Sequence, residues 1–138
     1  MEARLGIIGT GMLGSSVAKR LLSSGYKIAV YNRTTKKAES LAAFGATILQ
    51  TPKDLAKSCE LVITILKDAG AVREISFGKD GIIEGNHDGL IVADMSTISP
   101  QDSISIAKRF QENKALRIKI TFLFCTIVRM VTIATAFI

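Results

Sequence analysis

Short runs of nearly unbroken hydrophobicity punctuate this chain at Leu5 to Ile8, Lys27 to Tyr31, Ala46 to Leu49, Leu61 to Leu66 and Leu90 to Ala93. They are rich in Ile and Val and lack the polar alternate positions of a strand with one wet face. They predict strands covered on both sides, as in a parallel sheet. Between them the period turns helical. Val17, Ala18, Leu21 and Leu22 share one face of a helix predicted over 15–24. Thr51-Pro52-Lys53-Asp54 and Ser99-Pro100-Gln101-Asp102 each place a cap, a proline at the first helical position and a carboxylate in the first turn. Gly25 and Gly45 stand where a left-handed residue ends a helix before the next strand. This β-α alternation, without internal repeat, predicts the α/β class: a doubly wound, mainly parallel sheet.

Directly after the first strand comes Gly9-Thr10-Gly11-Met12-Leu13-Gly14, the spacing G-x-G-x-x-G, followed by a helix. In that context each glycine has a distinct role. Gly9 permits the tight turn, Gly11 lets a diphosphate approach the backbone, and Gly14 lets the helix lie close to the sheet. The free amides and positive dipole end of the helix then face the diphosphate. The pattern predicts a Rossmann-type frame that holds a dinucleotide.

The second strand ends in Asn32-Arg33-Thr34, eighteen to twenty residues past Gly14. An acidic residue there would bond the 2′-hydroxyl of NAD and repel a phosphate, but Asn32 is neutral and Arg33 offers a guanidinium. The expected cofactor is therefore NADP (NADPH), its 2′-phosphate met by the Arg33 fork, the Thr34 hydroxyl and the charge of Lys37.

Composition narrows the alternatives. At 138 residues, 48% of them hydrophobic, the chain holds one globular core. The net charge of +6 comes from 18 basic residues spread along the chain, with no Trp and two Tyr, so the stripe and stacking surfaces of a nucleic-acid binder are missing. Cys59 and Cys125 lie far apart with no CxxC spacing, and read as reduced thiols of a cytoplasmic protein. His87, in the polar stretch Glu84 to Gly89, reads as a surface-turn residue, and no metal is expected.

Three segments together resemble the β-hydroxyacid dehydrogenase family: Gly-Ile-Ile-Gly-Thr-Gly-Met-Leu-Gly at 6–14, Tyr-Asn-Arg-Thr at 31–34 and Asp-Met-Ser-Thr-Ile-Ser-Pro at 94–100. That family includes 3-hydroxyisobutyrate dehydrogenase, glyoxylate and succinic semialdehyde reductases and, more distantly, 6-phosphogluconate dehydrogenase. The likeness covers residues 3–113. It implies that Ile65, Leu66 and Lys67 lie along the cofactor, that Thr97 touches the nicotinamide side, and that Ser96 sits near a substrate carboxylate. Asp94 reads as ordering its loop. Lys67 departs from the Pro, Ser or Thr of many relatives.

The family's Asp-Ala-Pro-Val-Ser-Gly-Gly segment, its catalytic lysine motif and its helical domain find no match. Lys108, Lys114 and Lys119 lack the surrounding glycines and Asn, so no catalytic residue is assigned. The expectation is a truncated oxidoreductase, a domain over 1–114 that binds cofactor without turnover. The alternative is an NADP-sensing or partner-binding module tethered by its apolar end. The segment 115–138 reads as an atypical hydrophobic tail. From Ile118 onward it has no Gly, Pro, Asp, Glu or Asn, and only Lys119 and Arg129 are charged. Three readings of it stand: a membrane helix, disfavoured by Arg129 near its middle; a sixth strand starting near Leu116; and sequence unrelated to the family from a shifted reading frame, the preferred one. Substrate and oligomeric state are left open.

Overall fold

In the computed structural model, which describes residues 5–113 and the backbone of 116–119, the strands lie parallel in one sheet, and burial shows why their hydrophobicity is continuous. Ile7 and Ile8 of β1 (Leu5–Ile8) point to opposite faces and both are fully buried. Burying an aliphatic side chain of this size stabilises by roughly 1.5–3 kcal/mol. On one face Ile7 joins Ile28 and Val30 of β2 (Ile28–Tyr31) with Ala18 of α1 (Met12–Ser23) and Ala38 and Leu41 of α2 (Thr35–Ala42). On the other, Ile8 joins Leu55 of α3 (Pro52–Ser58), Val62 of β4 (Leu61–Thr64), Val72 of α4 (Ala69–Phe77), Val92 of β5 (Ile91–Asp94) and Ile106 and Phe110 of α5 (Pro100–Glu112). The Phe110 ring meets Phe77 at 4.9 Å between centroids, tilted by 51°, and the Arg109 guanidinium lies over the Phe77 ring at 4.3 Å. The two helix layers are therefore locked to the sheet by separate cores.

With β3 (Thr47–Ile48) and β6 (Leu116–Lys119), the strand order is β3-β2-β1-β4-β5-β6, all pairs parallel. This is the doubly wound α/β sheet expected. The order reverses at β1, which pairs with β2 on one side and β4 on the other, so a crevice opens beyond the carboxyl ends of those strands.

The local signals act as anticipated. Thr51 and Ser99 cap α3 and α5 through the amides of Asp54 and Asp102, each with proline in the first turn. Gly25 and Gly45 have φ of 85° and 96°, the left-handed region that favours glycine. Three differences stand out. The first helix starts at Met12, inside the glycine motif. A helix, α4, occupies 69–77, opened by Asp68, whose carboxylate accepts from the Ala71 amide at 2.7 Å. Finally β6 pairs with β5 from Leu116 to Lys119, so the sheet takes in the first residues beyond 114, as the sixth-strand reading anticipated; residues 120–138 lie outside the described residues. The Glu84 to Gly89 stretch begins in a 3₁₀ turn (Ile82–Gly85), and His87 is half-buried with its ring nitrogens 3.0 Å from the carbonyl oxygens of Cys59 and Asp88. Cys59 is a buried free thiol, and burial pushes its pKa up.

Candidate functional site

The three glycines differ in what surrounds them, and the differences match three separate requirements. Gly9 has φ 97°, and a Cβ there would strike the backbone carbonyl of Ile65. A Cβ on Gly14 would run into the carbonyl oxygen of Gly9, so this residue sets the close approach of α1 to the turn. Nothing lies within 4 Å of where a Cβ on Gly11 would stand. Gly11 therefore leaves the backbone at the crevice open to close approach.

Helix capping makes a second contrast. Thr51, Asp68 and Ser99 cap α3, α4 and α5 with side-chain oxygens. Gly11 and Thr34, which open α1 and α2, supply no side-chain cap, and neither helix has an acidic residue in its first turn. These two residues line the same crevice. Uncapped N-terminal amides carry the positive end of the helix dipole and are ready partners for anions.

The crevice has a volume of about 250 Å³. Its walls come from Ile8, Gly9 and Gly11 at the end of β1, from Tyr31, Asn32, Arg33, Thr34 and Lys37 past β2, from Ile65, Leu66 and Lys67 past β4, and from Ala71, Glu74 and Ile75 on α4. Nine residues expected from the sequence are thus brought together: Gly9, Gly11, Asn32, Arg33, Thr34, Lys37, Ile65, Leu66 and Lys67. The α4 contribution carries no sequence motif. Its Ala71, Glu74 and Ile75 are an i, i+3, i+4 set, legible only once Asp68 is recognised as a helix cap.

The other expected residues are placed differently. Met12 and Leu13 are exposed at the start of α1, outside the crevice walls. Thr10 is buried, and its N–H donates to the Asn32 Oδ1 at 3.0 Å instead of facing the open mouth. The Asn32 Nδ2 donates in turn to the Thr34 carbonyl at 2.9 Å, so one neutral side chain ties the glycine turn to the end of β2. Ser96 is buried, and its hydroxyl accepts from the Leu66 N–H at 2.9 Å. Asp94, also buried, accepts from the Thr64 hydroxyl and the Ser96 N–H, both at 3.0 Å. This network joins the carboxyl ends of β4 and β5. Thr97 is exposed and outside the crevice walls.

Electrostatically the mouth is positive on balance. Arg33 is exposed, with Nη1 4.0 Å from the Glu74 carboxylate across the crevice. Lys67 reaches Asp68 at 3.5 Å. The Asp68 carboxyl is held below its usual range, mainly by the Ala71 amide. Burial pushes the Tyr31 phenol up, the Glu74 charge adds to this, and Arg33 opposes it. Among the described residues no cluster of His, Cys, Asp or Glu could hold a metal, and no helix is long and apolar enough to cross a membrane.

Comparison with known proteins agrees with this geometry. A family model described as the NAD binding domain of 6-phosphogluconate dehydrogenase matches residues 4–121. An uncharacterized oxidoreductase of Bacillus subtilis, YfjR, is 40% identical over 109 residues, covering 79% of this chain and 38% of its own. Glyoxylate/succinic semialdehyde reductase 1 of Arabidopsis thaliana is 33% identical over 102 residues, covering 74% and 35%. Among solved structures, Psf3 in complex with NADP+ and 2-OPP superposes with a TM-score of 0.78 at 28% identity, over 83% of this chain and 40% of that one. The chain spans less than two-fifths of the length of either curated relative.

Proposed function

Because the chain belongs to the family of NAD binding domains of 6-phosphogluconate dehydrogenase, and is an NAD(P)-binding domain of the hydroxyacid dehydrogenase-like oxidoreductases, we propose that it holds NADP in preference to NAD. The observation that carries this reading is the pair of uncapped helix starts, at Gly11 and Thr34, on one crevice. One suits the diphosphate, which approaches over the bare Cα of Gly11. The other lies beside Arg33 and Lys37, where a 2′-phosphate finds a planar donor fork and a second cation. A crevice of about 250 Å³ is smaller than the 300–1,000 Å³ of a typical small-molecule pocket, and suits the adenosine end of a dinucleotide rather than the whole. The relative Psf3 is solved with NADP+, which supports the same choice.

When bound, the nicotinamide gives or takes a hydride. The chain's own part is orientation: Ile65, Leu66 and Lys67 lie past β4, their turn held by the Ser96 hydroxyl, and the family likeness assigns Thr97 to the nicotinamide side and Ser96 to the substrate side. No residue is assigned as the acid or base that hydride transfer requires. Assayed alone, the 138 residues bind NADPH and do not consume it with short aldehydes.

Fluorescence titration of NADPH and NADH into the chain and its Arg33→Asp variant tests the choice. A charge-assisted contact contributes about 1.5–3 kcal/mol, so the variant loses roughly 10- to 150-fold in NADPH affinity and little for NADH. Equal binding of both cofactors by both proteins refutes it.

A further inference from the structure

The crevice walls carry four charged side chains among the described residues: Arg33, Lys37 and Lys67, which suit a phosphate, and Glu74, which does not. Glu74 lies on the crevice side of α4 with Ala71 and Ile75, away from the buried Val72 and Ser76, and puts its carboxylate 4.0 Å from the Arg33 guanidinium. The two side chains are 66% and 76% exposed, so the pair is solvated and loosely held. It contributes little to folding. Its position opposite the end of β2 has more consequence for what binds between.

We infer that Glu74 is a specificity-determining residue that moderates the preference for a 2′-phosphate over a 2′-hydroxyl by engaging Arg33 and opposing added negative charge. The inference rests on the reading of Arg33 as the phosphate's partner. A guanidinium turned toward Glu74 must be redirected before its fork meets a phosphate, and the incoming dianion then lies within a few ångströms of a carboxylate. NAD brings no charge to that place. Its ribose 2′-hydroxyl is a donor that a carboxylate accepts, the task usually given to an acidic residue at the end of the second strand. Here that strand end is Asn32-Arg33, and the acid stands across the crevice on a different element. The Tyr31 phenol on the same crevice wall is raised chiefly by burial, and it responds to both charges, raised by Glu74 and lowered by Arg33. The arrangement suits a domain that prefers NADP while retaining usable affinity for NAD.

Glu74→Gln and Glu74→Lys test this, both being good helix formers at an exposed position. NADPH and NADH are titrated into the parent and both variants at low and at physiological salt, with thermal melts confirming the fold. Exposed charge pairs contribute enough to change an affinity by about two- to fivefold. The ratio of NADPH to NADH affinity rises by that factor in Glu74→Gln, rises further in Glu74→Lys, and the gains shrink as salt increases. A ratio unchanged or lowered in both variants overturns the role of Glu74 while leaving the crevice reading intact. Failure of the parent to bind either dinucleotide overturns the crevice reading, and this inference with it.

Discussion

Asn32 is the side chain whose replacement separates folding from cofactor binding most cleanly. Its Oδ1 is the partner of the Thr10 N–H at 3.0 Å, and Thr10 is only 4% exposed. Its Nδ2 donates to the Thr34 carbonyl at 2.9 Å, at a solvent-exposed site. Asn32→Ala removes both bonds, but water replaces only the second. The Thr10 amide is left buried and unpartnered, which costs about 1–3 kcal/mol. For a domain of this size that lowers the melting temperature by roughly 3–10 °C. Asn32→Asp behaves differently. A carboxylate still accepts from Thr10, so stability falls less than in the alanine variant, while a new negative charge beside Arg33 opposes the 2′-phosphate. Thermal melts and NADPH titrations on the two variants therefore move in opposite order: alanine is the less stable, aspartate the weaker binder of NADPH relative to NADH. If Asn32→Ala melts with the parent and binds NADPH as well, the bridge between the glycine turn and the end of β2 is of no consequence and the reasoning fails.

Two further outcomes follow from local chemistry. The Ser99 hydroxyl accepts from the Asp102 N–H at 3.1 Å and donates to its carboxylate at 2.7 Å, so Ser99→Ala costs α5 about 1 kcal/mol, measurable by urea unfolding. His87 places both ring nitrogens at 3.0 Å from carbonyl oxygens, which only accept, so the doubly protonated ring satisfies both and its pKa is raised, chiefly by the Asp88 carbonyl and then by that of Cys59. A raised folded-state value means the contribution is full below the unfolded pKa of about 6.5 and is lost as pH climbs through the folded value. Urea midpoints therefore decline from pH 6 upward in the parent, and His87→Gln flattens that part of the profile. A parallel decline in the variant would show the source to be elsewhere.

The sheet was legible because its signal is redundant. Ile7 and Ile8 of β1 are buried on opposite faces, and such a strand shows as an unbroken apolar run whatever surrounds it. Limits were less legible where tertiary bonds decide them. The run Leu61 to Leu66 continues past the strand, which ends at Thr64 because Leu66 turns its N–H to the Ser96 hydroxyl. Likewise β3 is only Thr47–Ile48, although the Leu49 N–H still donates to the Val30 carbonyl. The helix α4 opens without the proline that marks α3 and α5, and Gly70 weakens its first turn. Its place depends on the burial of Val72 and Ser76, which no local pattern announces. Glu74 was hidden for the same reason: an acid on a helix reads as solvated surface until the fold turns that face toward β2. The expectation for 115–138 rests on an abrupt change in composition, while β6, Leu116–Lys119, and the family match, which reaches 121, both extend past that change.

A glycine motif alone locates a mouth without saying what keeps it open. The open approach at Gly11 is useful only if the turn around it is rigid, and the rigidity comes from groups pointing elsewhere: the Asn32 oxygen on the Thr10 amide, and the Ser15 hydroxyl donating to the Thr10 carbonyl at 2.9 Å. With both polar groups of the Thr10 backbone already engaged, the turn need not reorganise to receive a diphosphate, and the amides that begin α1 stay free for it. The Asp94-Ser96 network does the same for the turn after β4. Removing one of these supports loosens a donor that the ligand needs without touching the ligand. Truncating Asn32 or Ser96 to alanine therefore weakens NADPH and NADH together, whereas charge changes at Arg33 and Glu74 divide them.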